Sequence, residues 1–230
     1  MDVKGRTAIV TGGAVRVGAA ISQELARRGA SVFIHYNRSE GPADAVREEI
    51  ASAGGIAVIG SVDLSNPDAA ADLIAATAAS LGPPTILVNS ASAFPFDTIE
   101  DVTPDGFRSA QELTLATPLM LTQAFARQVP DDLGGAIVNI TDVKTERPYR
   151  KHLSYMLAKG GIDTLTKAAA LALAPKIRVN AVALGVVLPP ADEGDDYAEK
   201  LAAELPLQRV GGAQVVADTV AFLCENDFIT

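Results

Sequence analysis

Short β-branched runs alternate with amphipathic stretches from residue 7 to residue 182, and this alternation restricts the fold more than any other feature of the chain. Thr7 to Thr11, Ser31 to His35, Ile56 to Ser61, Ile86 to Asn89, Ala136 to Thr141 and Arg178 to Val182 read as strands buried on both faces. Between them, Val17 to Arg28, Pro42 to Ala53, Asn66 to Ser80, Pro104 to Gln128 and Leu153 to Leu173 carry apolar residues at helical spacing. Parallel strands need a crossover, and right-handed crossovers through helices put helices on both faces of the sheet. The expectation is an α/β fold, a doubly wound parallel sheet in one domain over residues 1–230.

Apolar residues make up 48% and charged residues 20% of the 230, enough to bury a core and unlike a disordered chain. The formal net charge of −9 argues against nucleic acid or an anionic membrane surface as a partner. One cysteine, Cys224, reads as a small core residue, and with two histidines it leaves little material for a metal site. The segment before Thr7 has no signal-peptide pattern, and the longest apolar runs, Ala168 to Ala174 and Ala181 to Leu188, are too short to span a bilayer, so a cytoplasmic location is expected. After Val182 the pattern loosens through Leu188, Pro189, Pro190 and the acidic run Asp192 to Asp196, which marks a substrate-loop insertion around 186–206 and a candidate lid.

Thr11-Gly12-Gly13-Ala14-Val15-Arg16-Val17-Gly18 ends the first strand and opens the first helix. Glycines there allow a pyrophosphate close to the backbone, and the helix N-terminus stabilises its charge, as in a Rossmann-type domain. A tight strand-to-helix turn alone would use the same residues. At the end of the second strand, where an NAD site usually carries a carboxylate, the chain reads Tyr36-Asn37-Arg38-Ser39. Arg38 can pair with a 2′-phosphate and Ser39 can donate to it, which favours NADP over NAD, although Arg38 also fits a solvated loop.

Tyr155 and Lys159 are four residues apart in a helical stretch and so share a face. At about 4 Å and an effective dielectric of about 20, a lysine ammonium attracts a phenolate by on the order of 4 kcal/mol. The pair therefore predicts a tyrosine drawn toward neutral pH and usable as a general acid or base. Asp142 follows the strand Ala136 to Thr141, at the sheet edge where open α/β folds bind ligands, though an aspartate there also serves as a helix cap.

With these residues in place, the chain resembles the short-chain dehydrogenase/reductases over nearly its whole length. The Thr11–Gly18 loop, Asp63-Leu64, Asn89-Ser90-Ala91-Ser92 and Tyr155 to Lys159 occur in the family's order. Resemblance implies that Asp63 and Leu64 lie near the adenine and that Asn89, Ser90 and Ala91 lie at the central strand ends. It further implies that Lys159 holds the nicotinamide ribose and that Thr141, Gly185 and Val187 lie along the cofactor. Arg16, the His35-Tyr36-x-Arg38-Ser39 segment, Asp142 where most members have serine, and Ser92-Ala93-Phe94 resemble the pteridine reductase branch. That branch implies NADPH as cofactor and hydride transfer to a C=N bond of a pterin-type substrate. Phe94 would form one wall of a stacking slot, Arg16 and Ser92 would contact substrate, and Tyr155 and Asp142 would deliver the proton. Activity should then fall as pH rises.

Three positions depart from the family pattern: Thr114 stands where a relay asparagine is usual, Leu184-Gly185 replaces Pro-Gly, and relatives continue past Thr230 into one more strand. A carbonyl reductase acting on a 3-oxoacyl or sugar substrate is the rival enzyme reading, and a weakly catalytic NADP-binding regulatory protein is the rival of another class. The resemblance also implies a homotetramer packed through Pro104 to Gln128 and Leu153 to Leu173.

Overall fold

The computed structural model describes residues 2–189, 200 and 202–230. Six parallel strands form one sheet in the order β3-β2-β1-β4-β5-β6. They are β1 (Thr7–Val10), β2 (Ser31–Tyr36), β3 (Ile56–Ser61), β4 (Ile86–Asn89), β5 (Gly135–Asp142) and β6 (Ile177–Leu184). The helices are α1 (Arg16–Arg27), α2 (Glu40–Ser52), α3 (Ala70–Leu81), α4 (Pro104–Gln111), α5 (Thr117–Gln128), α6 (Leu153–Leu173) and α7 (Ala213–Glu225). This is the doubly wound Rossmann-type architecture expected from the alternation.

Strand side chains alternate between two cores. Ala8, Val10, Val32, Ile34, Ile86, Val88, Ala136 and Val138 face α1, α2 and α7, whereas Ile9, Phe33, Leu87, Ile137, Ile177 and Val179 face α3, α5 and α6. The central strands β1, β2, β4 and β5 are buried on both faces, as their continuous apolar runs required, whereas the edge strands β3 and β6, expected to be buried as well, leave Ile56, Ser61, Ala181 and Ala183 exposed because no further strand flanks them. Cys224 lies fully buried on α7, where burial pushes its thiol up to about 12.

Two long helical expectations are subdivided. Asn66 caps a 3-10 turn, Pro67–Ala69, before α3 begins. The stretch Pro104 to Gln128 is broken by a π-helical turn, Glu112–Ala116, between α4 and α5. Such turns widen a helix locally and are frequent at functional sites. The acidic run Asp192 to Asp196 and most of the expected lid lie outside the described residues. Among the described residues no helix is long and apolar enough to cross a membrane.

Candidate active site

The strand order reverses between β1 and β4, which opens a crevice at the carboxyl ends of these strands. A cavity of about 700 Å³ occupies it. Gly12, Arg16, Val17, Gly18, Asn37, Leu64, Ser90, Ala91, Ser92, Phe94, Thr141, Tyr155 and Lys159 line it, so the fold gathers most of the residues singled out from sequence.

The loop after β1 is built by close backbone approach. Gly12 has φ +64°, and a Cβ there would sit 3.1 Å from the Ala91 Cα. A Cβ on Gly18 would meet the Gly12 carbonyl oxygen at 2.1 Å. Thr11 is buried, and its Oγ1 accepts from the backbone N–H groups of Ser90 (2.9 Å) and Ala91 (3.0 Å), tying the β1 loop to the β4 loop from beneath. Arg16 opens α1 in the left-handed region, φ 52°, and donates from Nη2 to the Pro189 carbonyl at 2.8 Å, bridging the β1 and β6 loops. Gly185 is exposed just past β6, and Val187 packs on the α7-side core.

His35, which sequence reasoning passed over as a ligand-site residue, braces this loop. Its Nδ1 accepts the Gly12 N–H at 3.1 Å and its Nε2 lies 2.8 Å from the Val62 carbonyl. A carbonyl only accepts, so the proton is on Nε2 and the ring is neutral. Burial lowers its pKa, in keeping with that state.

At the end of β2, Asn37 and Arg38 are exposed and Ser39 half-buried. Tyr36 hydrogen-bonds Glu40, which engages the nearby carboxylate. Asp63 turns back on its own loop: its Oδ1 accepts from Ser65 N (3.0 Å) and Ser65 Oγ (2.7 Å), and these bonds hold its carboxyl below the usual range, with Arg38 adding to the effect. Asn89 is buried and donates to Asn139 Oδ1 (2.8 Å), which in turn donates to Thr166 on α6 (2.8 Å). The Asn89 side-chain oxygen Oδ1 and the Thr141 hydroxyl are buried without a hydrogen-bond partner among the described residues.

Tyr155 Oη donates to Asp142 Oδ2 at 2.8 Å, and Asp142 Oδ1 accepts from the Lys144 N–H at 2.8 Å. The expected drawing of the tyrosine toward neutrality is overturned here. Lys159 Nζ donates to the Ile140 carbonyl at 2.6 Å and stands 5.6 Å from the Tyr155 ring centroid. Burial brings the lysine itself down to about 8. Burial and the adjacent Asp142 carboxylate instead push the Tyr155 phenol up, so its proton stays on oxygen. The spacing placed the pair on one face correctly; a backbone carbonyl capturing the ammonium left no trace in the sequence.

Phe94 is 55% exposed, its ring edge-on to Tyr155 with centroids 4.7 Å apart. His152 stacks on it at 3.6 Å and 15°, in the left-handed region with φ 63°, while its Nδ1 donates to the Pro95 carbonyl at 2.8 Å. Tyr149 and Phe96 complete the cluster. His152 and Tyr149 carried no motif, and their approach to Phe94 depends on the long β5–α6 connection. Thr114 is buried in the π-helical turn, its hydroxyl 3.4 Å from that of Ser92, so it stands at the edge of the site.

Residues 13–230 match a family model described as enoyl-(acyl carrier protein) reductase. An uncharacterized oxidoreductase of Methylorubrum extorquens is 35% identical over 98% of this chain and 92% of that protein. An L-rhamnose 1-dehydrogenase (NAD(P)(+)) of Azotobacter vinelandii is 31% identical over 96% of this chain and 90% of its own length. Among solved structures, the FolM alternative dihydrofolate reductase 1 of Brucella canis, complexed with NADP, superposes with a TM-score of 0.94 at 34% identity, covering 100% of this chain and 91% of that one. Order of motifs, sheet topology and these full-length likenesses agree: the chain belongs to the short-chain dehydrogenase/reductase family of oxidoreductases.

Proposed function

We propose that the chain is a single-domain NADPH-dependent reductase that delivers hydride to a C=N bond of a pterin-type substrate. The observation that carries this reading is the Tyr155–Asp142 hydrogen bond at 2.8 Å beside the exposed ring of Phe94. A carboxylate against the proton-donating tyrosine poorly supports a carbonyl oxygen gaining negative charge, but it suits protonation of a ring nitrogen. The solved Brucella protein of the same fold, an alternative dihydrofolate reductase in complex with NADP, adds support.

The residues present fit the cofactor. Glycine backbone borders the crevice, the Thr141 hydroxyl is unsatisfied within it, and Arg38 and Ser39 offer donors at the end of β2. When bound, NADPH supplies the hydride. Arg16, Asn37, Arg38 and Ser39 would hold its phosphates, and Lys159 its nicotinamide ribose. Phe94 would wall a slot for a flat heterocycle, since aromatic faces stack favourably, with Ser92 and Arg16 at its rim.

Tyr155 gives its proton to the substrate. A phenolate left against the Asp142 carboxylate would be strongly unfavourable, so Asp142 takes up a proton transiently and passes it to Tyr155 as the first proton leaves. The same reading includes self-association through α5 and α6. An apolar groove of about 430 Å³ runs between Leu119 and Leu165, and Leu171 is 85% exposed.

NADPH oxidation with dihydropterins and with ketones or sugars tests the assignment. Dihydropterin turnover that is lost in Asp142→Ser and Tyr155→Phe is the expected result. A sugar or ketone reductase indifferent to pterins is the rival outcome, which the rhamnose dehydrogenase likeness favours.

A further inference from the structure

The chain's net charge is −9, yet the connection from β5 to α6 reverses that sign. Lys144, Arg147, Arg150 and Lys151 stand there against two carboxylates, Asp142 at its start and Glu146 within it. Arg147, Arg150 and Lys151 are exposed, and the ion pairs found among the described residues involve none of the four. The excess of positive charge is unfavourable unless an anion arrives to offset it.

The location is as informative as the charge. This connection starts at Asp142 and ends at His152, three residues before Tyr155. It also meets the aromatic wall of the cavity. Lys144 Nζ lies 5.0 Å from the Tyr149 ring centroid, and Tyr149 packs edge-on 6.3 Å from Phe94. Lys151 Nζ lies 4.5 Å from the Phe96 ring centroid, and Phe96 packs 5.5 Å from His152, which stacks on Phe94. Cation–π contact holds both ammonium groups within two rings of the residue that faces the substrate slot.

We infer that the substrate of this site carries an anionic tail, carboxylate or phosphate, which the cluster of Lys144, Arg147, Arg150 and Lys151 receives at the cavity mouth. The inference rests on the pterin reading given above. A pterin ring stacked on Phe94 would lie next to Tyr149, whose ring is 6.3 Å from that of Phe94, and so within reach of the cationic connection beyond it. Guanidinium groups suit either tail because their planar donors match carboxylate and phosphate oxygens. A neutral side chain gains nothing from the cluster.

The test compares dihydrofolate, whose tail is a glutamyl carboxylate, and dihydroneopterin monophosphate, whose tail is a phosphate, with neutral dihydroneopterin. Each is measured in the native chain and in the triple variant Arg147→Gln/Arg150→Gln/Lys151→Gln. For three screened charges near the tail, kcat/KM for an anionic substrate should fall about tenfold more than for the neutral one. The native preference should also shrink with added salt, since exposed charges are screened within about 10 Å at 0.1 M. The tail with the larger selective loss identifies the source. Equal losses for all three substrates, or a salt-independent preference, would overturn the anionic tail while leaving pterin reduction standing. A native chain that reduces no pterin, and whose NADP complex binds folate no more weakly in the triple variant by calorimetry, would overturn both.

Discussion

Tyr155, Asp142 and Lys159 show how much depends on which partner a charged group meets. Lys159 is buried and bonded to a backbone carbonyl, with its pKa lowered to about 8. Its folded-state pKa is below the unfolded value of about 10.5, so the unfolded chain binds more protons between these limits and stability should rise with pH from about 8 to 10.5. Replacing Lys159 by Met should remove the cost of burying an ammonium and stabilise the protein at pH 7 by about 1–3 kcal/mol while abolishing turnover. Thermal denaturation and NADPH oxidation on the same preparation check both halves. Tyr155→Phe should cost about 10²- to 10⁴-fold in kcat, the range for a general acid, with little change in stability. The sequence made the shared helical face of Tyr155 and Lys159 legible through their spacing. It did not show the Ile140 carbonyl, because that contact comes from the strand beside the helix.

Elements are locked together by groups that carry no chemistry themselves. Glu24 on α1 is 3% exposed and accepts from Arg27 and Arg28 at 2.7 Å, and Arg28 reaches Glu225 on α7 at 2.6 Å. The Arg27 hydrogen bond, with Arg28, holds the Glu24 carboxyl down to about 2 against the opposing effect of burial. Its contribution is present above the unfolded value of about 4.5 and is lost as pH falls toward 2. Glu24→Gln should cost about 2 kcal/mol at pH 7 and flatten the acid limb of a denaturation profile. At the other end of the same helix, Gly18→Ala would drive a Cβ into the Gly12 carbonyl, so NADPH affinity measured by fluorescence titration should collapse. The glycine loop was legible because backbone approach demands glycine. The bracing by His35 was not, since its two partners, Gly12 and Val62, come from the segments that follow β1 and β3 and no local pattern announces them. The π-helical turn at Glu112–Ala116 was equally hidden, because the apolar spacing continues through it.

Across the whole molecule, strand number and helix alternation were read from period and punctuation, and the family likeness supplied the motif order. The aromatic and cationic grouping at the cavity mouth needed the sheet to bring residues 94–96 against residues 144–152. The proposed self-association through α5 and α6 gives a further expectation: Leu171→Glu should shift any assembly to smaller species in light scattering while leaving the α/β circular dichroism spectrum intact. The proton-delivery account is tested most directly by kcat/KM for dihydropterin reduction from pH 5 to 9 in the native chain and in Asp142→Asn. We expect the native rate to fall as pH rises, because Asp142 must take up a proton, and the Asn variant to be slow with that dependence removed. A native rate that climbs steadily from pH 5 to 8, or an Asn variant that keeps the native profile, would contradict the assignment of Asp142 to proton delivery.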